Sequence, residues 1–183
     1  MLAAEGLAVL RPGHGAQVAA ITVQDFVEIN ELRLLVEPGV ARIAAGRARG
    51  LTISNLIRRL VASEESVQMD ASTLASLDFE AHVAIAEAAA NRRVTALVRR
   101  LNELNGLARP WDVRQRSGEI LHSISEILVS IELGDGAAAE AQMRSHIGAF
   151  ISAYGSNLAN GYSESGRQSD DGGGVPLVQS GTG

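Results

Sequence analysis

The sequence predicts an all-α protein, an antiparallel bundle of six or seven helices preceded by a short β-hairpin. Three observations carry that expectation. Hydrophobic residues fill 46% of the 183 positions but aromatics only 3%, so the core must be built from Ala, Leu, Ile and Val. An Ala- and Leu-rich mixture of this kind favours helices over sheets. Apolar residues recur at three- and four-residue intervals through most of the chain, and capping residues and glycines interrupt them at helix-length spacing.

The N-terminal stretch follows another rule. Gly6-Leu7-Ala8-Val9-Leu10 and Ala16-Gln17-Val18-Ala19 flank Arg11-Pro12-Gly13-His14-Gly15, two short apolar runs around turn chemistry. A β-hairpin within residues 1–20 is the natural reading. A lone hairpin is marginal in water, so it belongs with something larger.

From Thr22 the period becomes helical. Thr22-x-x-Asp25 resembles a capping box, and Phe26, Ile29, Leu32, Arg33, Val36 and Val40 share a spacing up to about Arg49. Pro38 inside this run predicts a kink or a break into two helices. Thr52 is expected to cap a second helix with Leu56, Leu60 and Val67 inward. Asp70 or Ser72 starts a third, which fades near Asn91. A fourth runs from Arg92 to about Leu107 with Val94, Leu97, Val98, Leu101 and Leu104 as its stripe. Residues 109–118, with the single tryptophan Trp111, form a connection. A fifth helix follows from Glu119 to Leu133, stopped by Gly134. Asp135 caps a sixth, in which Ala139, Met143, His146, Ile147, Phe150 and Tyr154 share a face. Residues 155–183 are rich in Ser, Gly, Asn and Asp and are expected to be a disordered tail.

Charge and composition exclude several function classes. The net charge is −5, and all 16 basic residues are Arg, with no block that would form a basic tail on nucleic acid. There is no Cys, hence no disulfide and no thiolate metal site. No apolar run reaches the roughly 18 residues of a membrane span, and the N-terminus lacks the layout of a signal peptide. The expectation is a cytoplasmic protein.

The third helix carries the chemistry. Leu74, Leu77, Asp78, Ala81, His82 and Ile85 fall on one face, so an acid and an imidazole sit one turn apart on a stripe that should be buried. Buried ionisable groups are costly unless something pairs with them. A hydrogen bond between Asp78 and His82 would do so, and so would a divalent metal, for which imidazole nitrogen and carboxylate oxygen are usual ligands. His146 also lies on a core stripe. His122 is a poorer candidate, because it groups with Glu119, Ser125, Glu126 and Val129 on a mostly polar side. His14 reads as an exposed turn residue. Arg33, beside Leu32 and Val36, either covers apolar surface with its stem or aims its guanidinium into a cavity to bind a carboxylate.

These residues resemble a known family. Phe26-Val27-Glu28-Ile29-Asn30-Glu31-Leu32-Arg33-Leu34-Leu35-Val36-Glu37-Pro38 looks like the first helix of the FCD ligand-binding domain, the C-terminal domain of FadR-type regulators in the GntR family. Leu77-Asp78-x-x-Ala81-His82-x-x-Ile85-Ala86-x-Ala88-x-x-Asn91 is similar to its Asp/His helix. Gly134-Asp135-x-x-x-Ala139-x-x-x-Met143-x-x-His146-Ile147 is similar to its last helix. Residues 1–18 look like the end of a winged-helix recognition helix and its wing.

The resemblance implies a transcription regulator whose helical domain, residues 21–154, senses a small organic acid and forms a homodimer. It also implies a divalent metal, with Zn²⁺ the first candidate, held by one Asp and three His. Asp78, His82 and His146 match three of these positions, and Arg33 is the expected carboxylate binder. The remaining His of the family falls at Ile124. His122 lies two residues earlier, a rotation of about 200° on a helix. The DNA-reading helix-turn-helix would precede the wing, so DNA is expected as a partner only through an element not present in this chain. Two other classes compete with the sensor: a small metal-dependent hydrolase, and a metal-free interaction domain in which Asp78 and His82 pair in the core.

Overall fold

The computed structural model describes residues 8–11, 15–18, 22–47, 51–64, 70–108 and 117–167. Six helices lie among them: α1 (Val23–Ala45), α2 (Leu51–Glu64), α3 (Ala71–Ala88), α4 (Arg92–Ala108), α5 (Ser117–Glu132) and α6 (Gly136–Arg167). Most of the expected hairpin region lies outside the described residues, His14 included. Within it, β1 (Ala8–Arg11) pairs antiparallel with β2 (Gly15–Val18), Ala8 opposite Val18. Trp111 and Val67 also lie outside the described residues. The chain divides into two compact units, residues 1–151 and 152–183.

The helix starts follow from local chemistry. Thr22 Oγ1 accepts from the Asp25 backbone N–H at 3.1 Å while Asp25 Oδ2 accepts from the Thr22 N–H at 2.8 Å, a reciprocal cap. Asp70 accepts from the Thr73 N–H at 2.7 Å and starts α3. Asp135 accepts from the Ala138 N–H at 3.0 Å and starts α6. Thr52 does not act as a cap, because α2 is already helical at Leu51. Between α5 and α6 the backbone turns through Gly134 at φ 77°, a conformation that costs glycine little. Gly134 N–H bonds to Ile131 O and Asp135 N–H to Ser130 O, closing the end of α5.

Several expectations are corrected. Pro38 does not divide α1, which runs unbroken from Val23 to Ala45 with Pro38 buried inside it. Proline removes one intrahelical donor, and here Val40, Ala41, Ala44 and Ala45 are buried beyond it and hold the helix in place. The buried face of α1 is Phe26, Ile29, Asn30, Arg33, Glu37 and Val40, whereas Leu32 is 49% exposed. On α4, Leu97 is 44% exposed and the inner face is Val98, Leu101, Asn102 and Asn105. In both helices polar side chains occupy places that hydrophobicity alone would assign to leucines. The last helix continues past Tyr154 to Arg167, since extending a formed helix needs only one more hydrogen bond per residue fixed.

The core is aliphatic. Leu60, Leu74, Ile124, Ile127, Leu128, Ile131, Met143 and Ile147 are all but fully buried, each such side chain being worth about 1.5–3 kcal/mol of apolar transfer. Helix α1 packs on α3, α4 and α5, and α2 packs on α3 and α5. Asn30 of α1 meets Asn105 of α4, and Glu37 meets Asn102, so the two helices run antiparallel. Gly136 brings the start of α6 against α1, where a side-chain carbon would lie 3.0 Å from the Arg42 carbonyl oxygen. Among the described residues no helix is long and apolar enough to cross a membrane.

Candidate metal centre

The α-helical period places Asp78 and His82 on the buried face of α3, and tertiary packing brings His146 of α6 to them. All three are buried. His146 Nε2 lies 3.2 Å from Asp78 Oδ1, His82 Nε2 lies 3.6 Å from the same oxygen, and the two Nε2 atoms are 3.3 Å apart. The far side of each ring is held. His82 Nδ1 bonds Glu37 Oε2. His146 Nδ1 is 2.8 Å from Ser123 Oγ, which donates its own proton to the Ile120 carbonyl at 2.9 Å and therefore accepts from the ring. In the neutral, metal-binding form of each ring, a proton fixed on Nδ1 leaves a lone pair on Nε2. Two ring nitrogens and a carboxylate oxygen thus lie within 3.6 Å of one another.

That spacing is a test of fit. Ligands at the roughly 2.0–2.1 Å bond lengths of tetrahedral zinc stand about 3.3–3.4 Å from one another. The three separations, 3.2, 3.3 and 3.6 Å, bracket this value. Asp78, His82 and His146 therefore form a cluster able to hold a metal ion, with a donor set suited to zinc and similar divalent ions. His122 is not part of it: the ring is 71% exposed and sits 3.6 Å from Glu126. Ile124 is buried among apolar residues and offers no ligand atom.

Arg33 reaches the cluster from α1. Its Nε donates to Glu37 Oε1 at 2.7 Å, its NH1 to Asn30 Oδ1 at 3.3 Å, and its NH2 lies 3.2 Å from His82 Nε2. Glu37 Oε1 also accepts from Asn102 Nδ2 at 3.0 Å, and Asn30 Nδ2 donates to Asn105 Oδ1 at 3.1 Å. Arg33 is thus fully enclosed, which rules out the surface-covering role. A connected set of polar side chains from α1, α3, α4, α5 and α6 lies inside an aliphatic bundle, and such sets are stable only when satisfied.

The charges follow from these contacts. Burial would push the Glu37 carboxyl up, but the facing His82 and Arg33 outweigh it and hold it down at about 2. His82 is pulled down by burial and pushed up further by Glu37 and Asp78, so its net shift is upward. His146 is shifted downward, chiefly by burial, with Asp78 offsetting only part. An imidazole must be unprotonated to bind a metal, a condition that His146 meets readily.

Sequence reasoning did not single out Glu37, Asn30, Asn102, Asn105 or Ser123. A signal existed for the first: Glu37 stands one turn after Arg33, and such a pair on a core stripe is a candidate buried ion pair. Asn102 and Asn105 stand four residues after Val98 and Leu101, on the same face. Ser123 had no such signal, because it lies beside the buried stripe of α5.

Fold and cluster together define an all-helical domain built around a buried polar centre with three convergent metal-ligand atoms. The FCD domain model matches residues 28–149, and the chain belongs to that family. No curated protein matches the chain significantly. Solved structures that resemble it are GntR-family regulators among others. GntR of Streptococcus agalactiae is 24% identical with a TM-score of 0.60, covering 83% of this chain and 77% of that one. McbR/YncC of E. coli is 13% identical with a TM-score of 0.70, covering 86% and 76%. A GntR-family regulator from Pseudomonas syringae pv. tomato is 19% identical with a TM-score of 0.62, covering 90% and 69%. At these identities the likeness establishes a shared fold.

Proposed function

We propose that this domain is the effector-sensing part of a GntR/FadR-type transcription regulator and has no enzymatic role. It binds a small organic acid through Arg33 and a divalent metal, Zn²⁺ in the first instance, at Asp78, His82 and His146. The observation that carries this reading is the near-tetrahedral spacing of the three ligand atoms beside a buried guanidinium. Three protein ligands leave a coordination position open, and a metal held there would polarise an effector carboxylate. Arg33 offers the same carboxylate a fork of donors.

Transmission runs through a homodimer to a winged helix-turn-helix that reads DNA. The neighbouring helices α1 and α4 expose Val27 at 39%, Leu97 at 44% and Leu107 at 60%, apolar surface suited to a second copy. An effector acts by binding one dimer arrangement better than another. The regulator works in the cytoplasm.

Metal analysis of purified protein, with Asp78→Ala and His82→Ala as controls, tests the site. Stoichiometric metal in the wild type and none in the variants is the expected result. A wild type that holds no metal and whose melting temperature ignores added Zn²⁺ sinks the metal-assisted reading. A thermal-shift screen of small carboxylates tests the sensor, with every hit expected to vanish in Arg33→Ala.

A further inference from the structure

We propose that Arg33 gates the metal position: its guanidinium and a metal ion compete for one lone pair on His82, and a carboxylate that draws Arg33 away raises affinity for the ion. The inference rests on Asp78, His82 and His146 being the ligands, and it adds the regulation of that site.

The argument begins with the ring. An imidazole binds a metal only in its neutral form, which has one N–H and one lone pair. Glu37, an ionised carboxylate that can only accept, faces His82 Nδ1 and fixes the proton there. The lone pair is then on Nε2. A guanidinium has donors and no acceptor, so the 3.2 Å contact from Arg33 NH2 to Nε2 is an N–H donated into that lone pair. The same Nε2 stands 3.3 Å from His146 Nε2 and 3.6 Å from Asp78 Oδ1, the atoms that would share an ion with it. One lone pair serves one partner. Metal coordination at His82 therefore requires the Arg33 NH2 to leave.

Arg33 Nε is anchored on Glu37 Oε1 at 2.7 Å, separately from the NH2 that meets His82. The guanidinium is a rigid plane, so it leaves His82 by swinging as a whole toward an anion that accepts from its terminal nitrogens. A carboxylate taken up by those nitrogens releases His82 Nε2 for the ion. Carboxylate and metal then favour each other, and by linkage each raises the affinity for the other by the same factor.

The test uses Co²⁺, whose visible absorption reports coordination by nitrogen and oxygen ligands, and acetate, a carboxylate too weak as a chelator to strip the ion. Co²⁺ is titrated at constant pH in sodium chloride and in sodium acetate of equal ionic strength. The proteins are wild type, Arg33→Lys, Arg33→Met and Asp78→Ala, each checked for folding by circular dichroism. Lys keeps a charge beside Glu37 but lacks the planar fork that spans Glu37 and His82 together, so it keeps the proposal testable if the Met variant does not fold. Wild type should bind Co²⁺ at least about threefold tighter in acetate. The folded Arg33 variants should bind about tenfold tighter than wild type in chloride, the worth of one buried hydrogen bond from a charged donor, and should ignore acetate. If Asp78→Ala abolishes binding but the Arg33 variants bind no tighter than wild type, the gate is refuted while the metal site stands. An acetate effect absent from wild type refutes the coupling. If no protein binds Co²⁺ in either salt, the metal site and the gate fall together.

Discussion

Replacing Glu37 by Gln removes one charge and leaves the shape of the side chain nearly unchanged. In the native protein Oε1 accepts from Arg33 and Asn102, and Oε2 faces His82 Nδ1. Every neighbour of the carboxylate is thus a donor. A Gln amide turns one NH2 toward either the Arg33 and Asn102 pair or the His82 ring, so donors meet donors whichever way it flips. Arg33 is only 2% exposed and loses its counter-charge. Removing one partner of a buried ion pair costs about 3–5 kcal/mol, a large part of the roughly 5–15 kcal/mol that holds a domain folded. Urea unfolding followed by circular dichroism at neutral pH, with a chelator present, measures the loss. The double variant Arg33→Met/Glu37→Leu, which removes both charges, should recover most of it. A Glu37→Gln protein within about 1 kcal/mol of wild type would refute the buried pair, since surface changes fall well inside that range. So would a double variant no more stable than the single one.

Glu37 also makes stability depend on acid. Its carboxyl is held at about 2 in the folded protein against an ordinary 4.5, so the unfolded chain takes up the proton first. The contribution is fully present above pH 4.5 and is lost as pH falls toward 2. The gap in urea midpoint between wild type and Glu37→Gln should therefore narrow over that interval. His122→Ala, at a ring 71% exposed, should leave stability within about 0.5 kcal/mol and Zn²⁺ binding unchanged by calorimetry. His146→Ala should abolish the binding. Gly134→Ala forces an alanine into φ 77° and should cost about 1 kcal/mol, read as a lower thermal midpoint.

Asp78 and His82 were legible as a pair because the helical period is local: four residues are one turn, whatever surrounds them. The same logic placed His146 on an inner face and His122 on a polar one, and the caps at Thr22, Asp70 and Asp135 were readable from a few neighbouring residues each. Distance between helices is not local. That His82 and His146, 64 positions apart, bring their Nε2 atoms to 3.3 Å depended on how α3 and α6 pack. Which way α1 turns was likewise beyond the local pattern, because Phe26, Ile29, Leu32, Val36 and Val40 admit more than one phase. Packing chose the phase that buries Arg33 and Glu37 and leaves Leu32 half exposed. A polar residue on a helix stripe reads as an interruption until its partner is known, and the partners here lie on other helices: Asn105 for Asn30, Asn102 and His82 for Glu37. The helices and the side chains that share a turn were thus readable directly, since those depend on backbone period and nearby caps. That the polar ones meet was settled by packing, since a buried charge is tolerated only where long-range contacts deliver its partner.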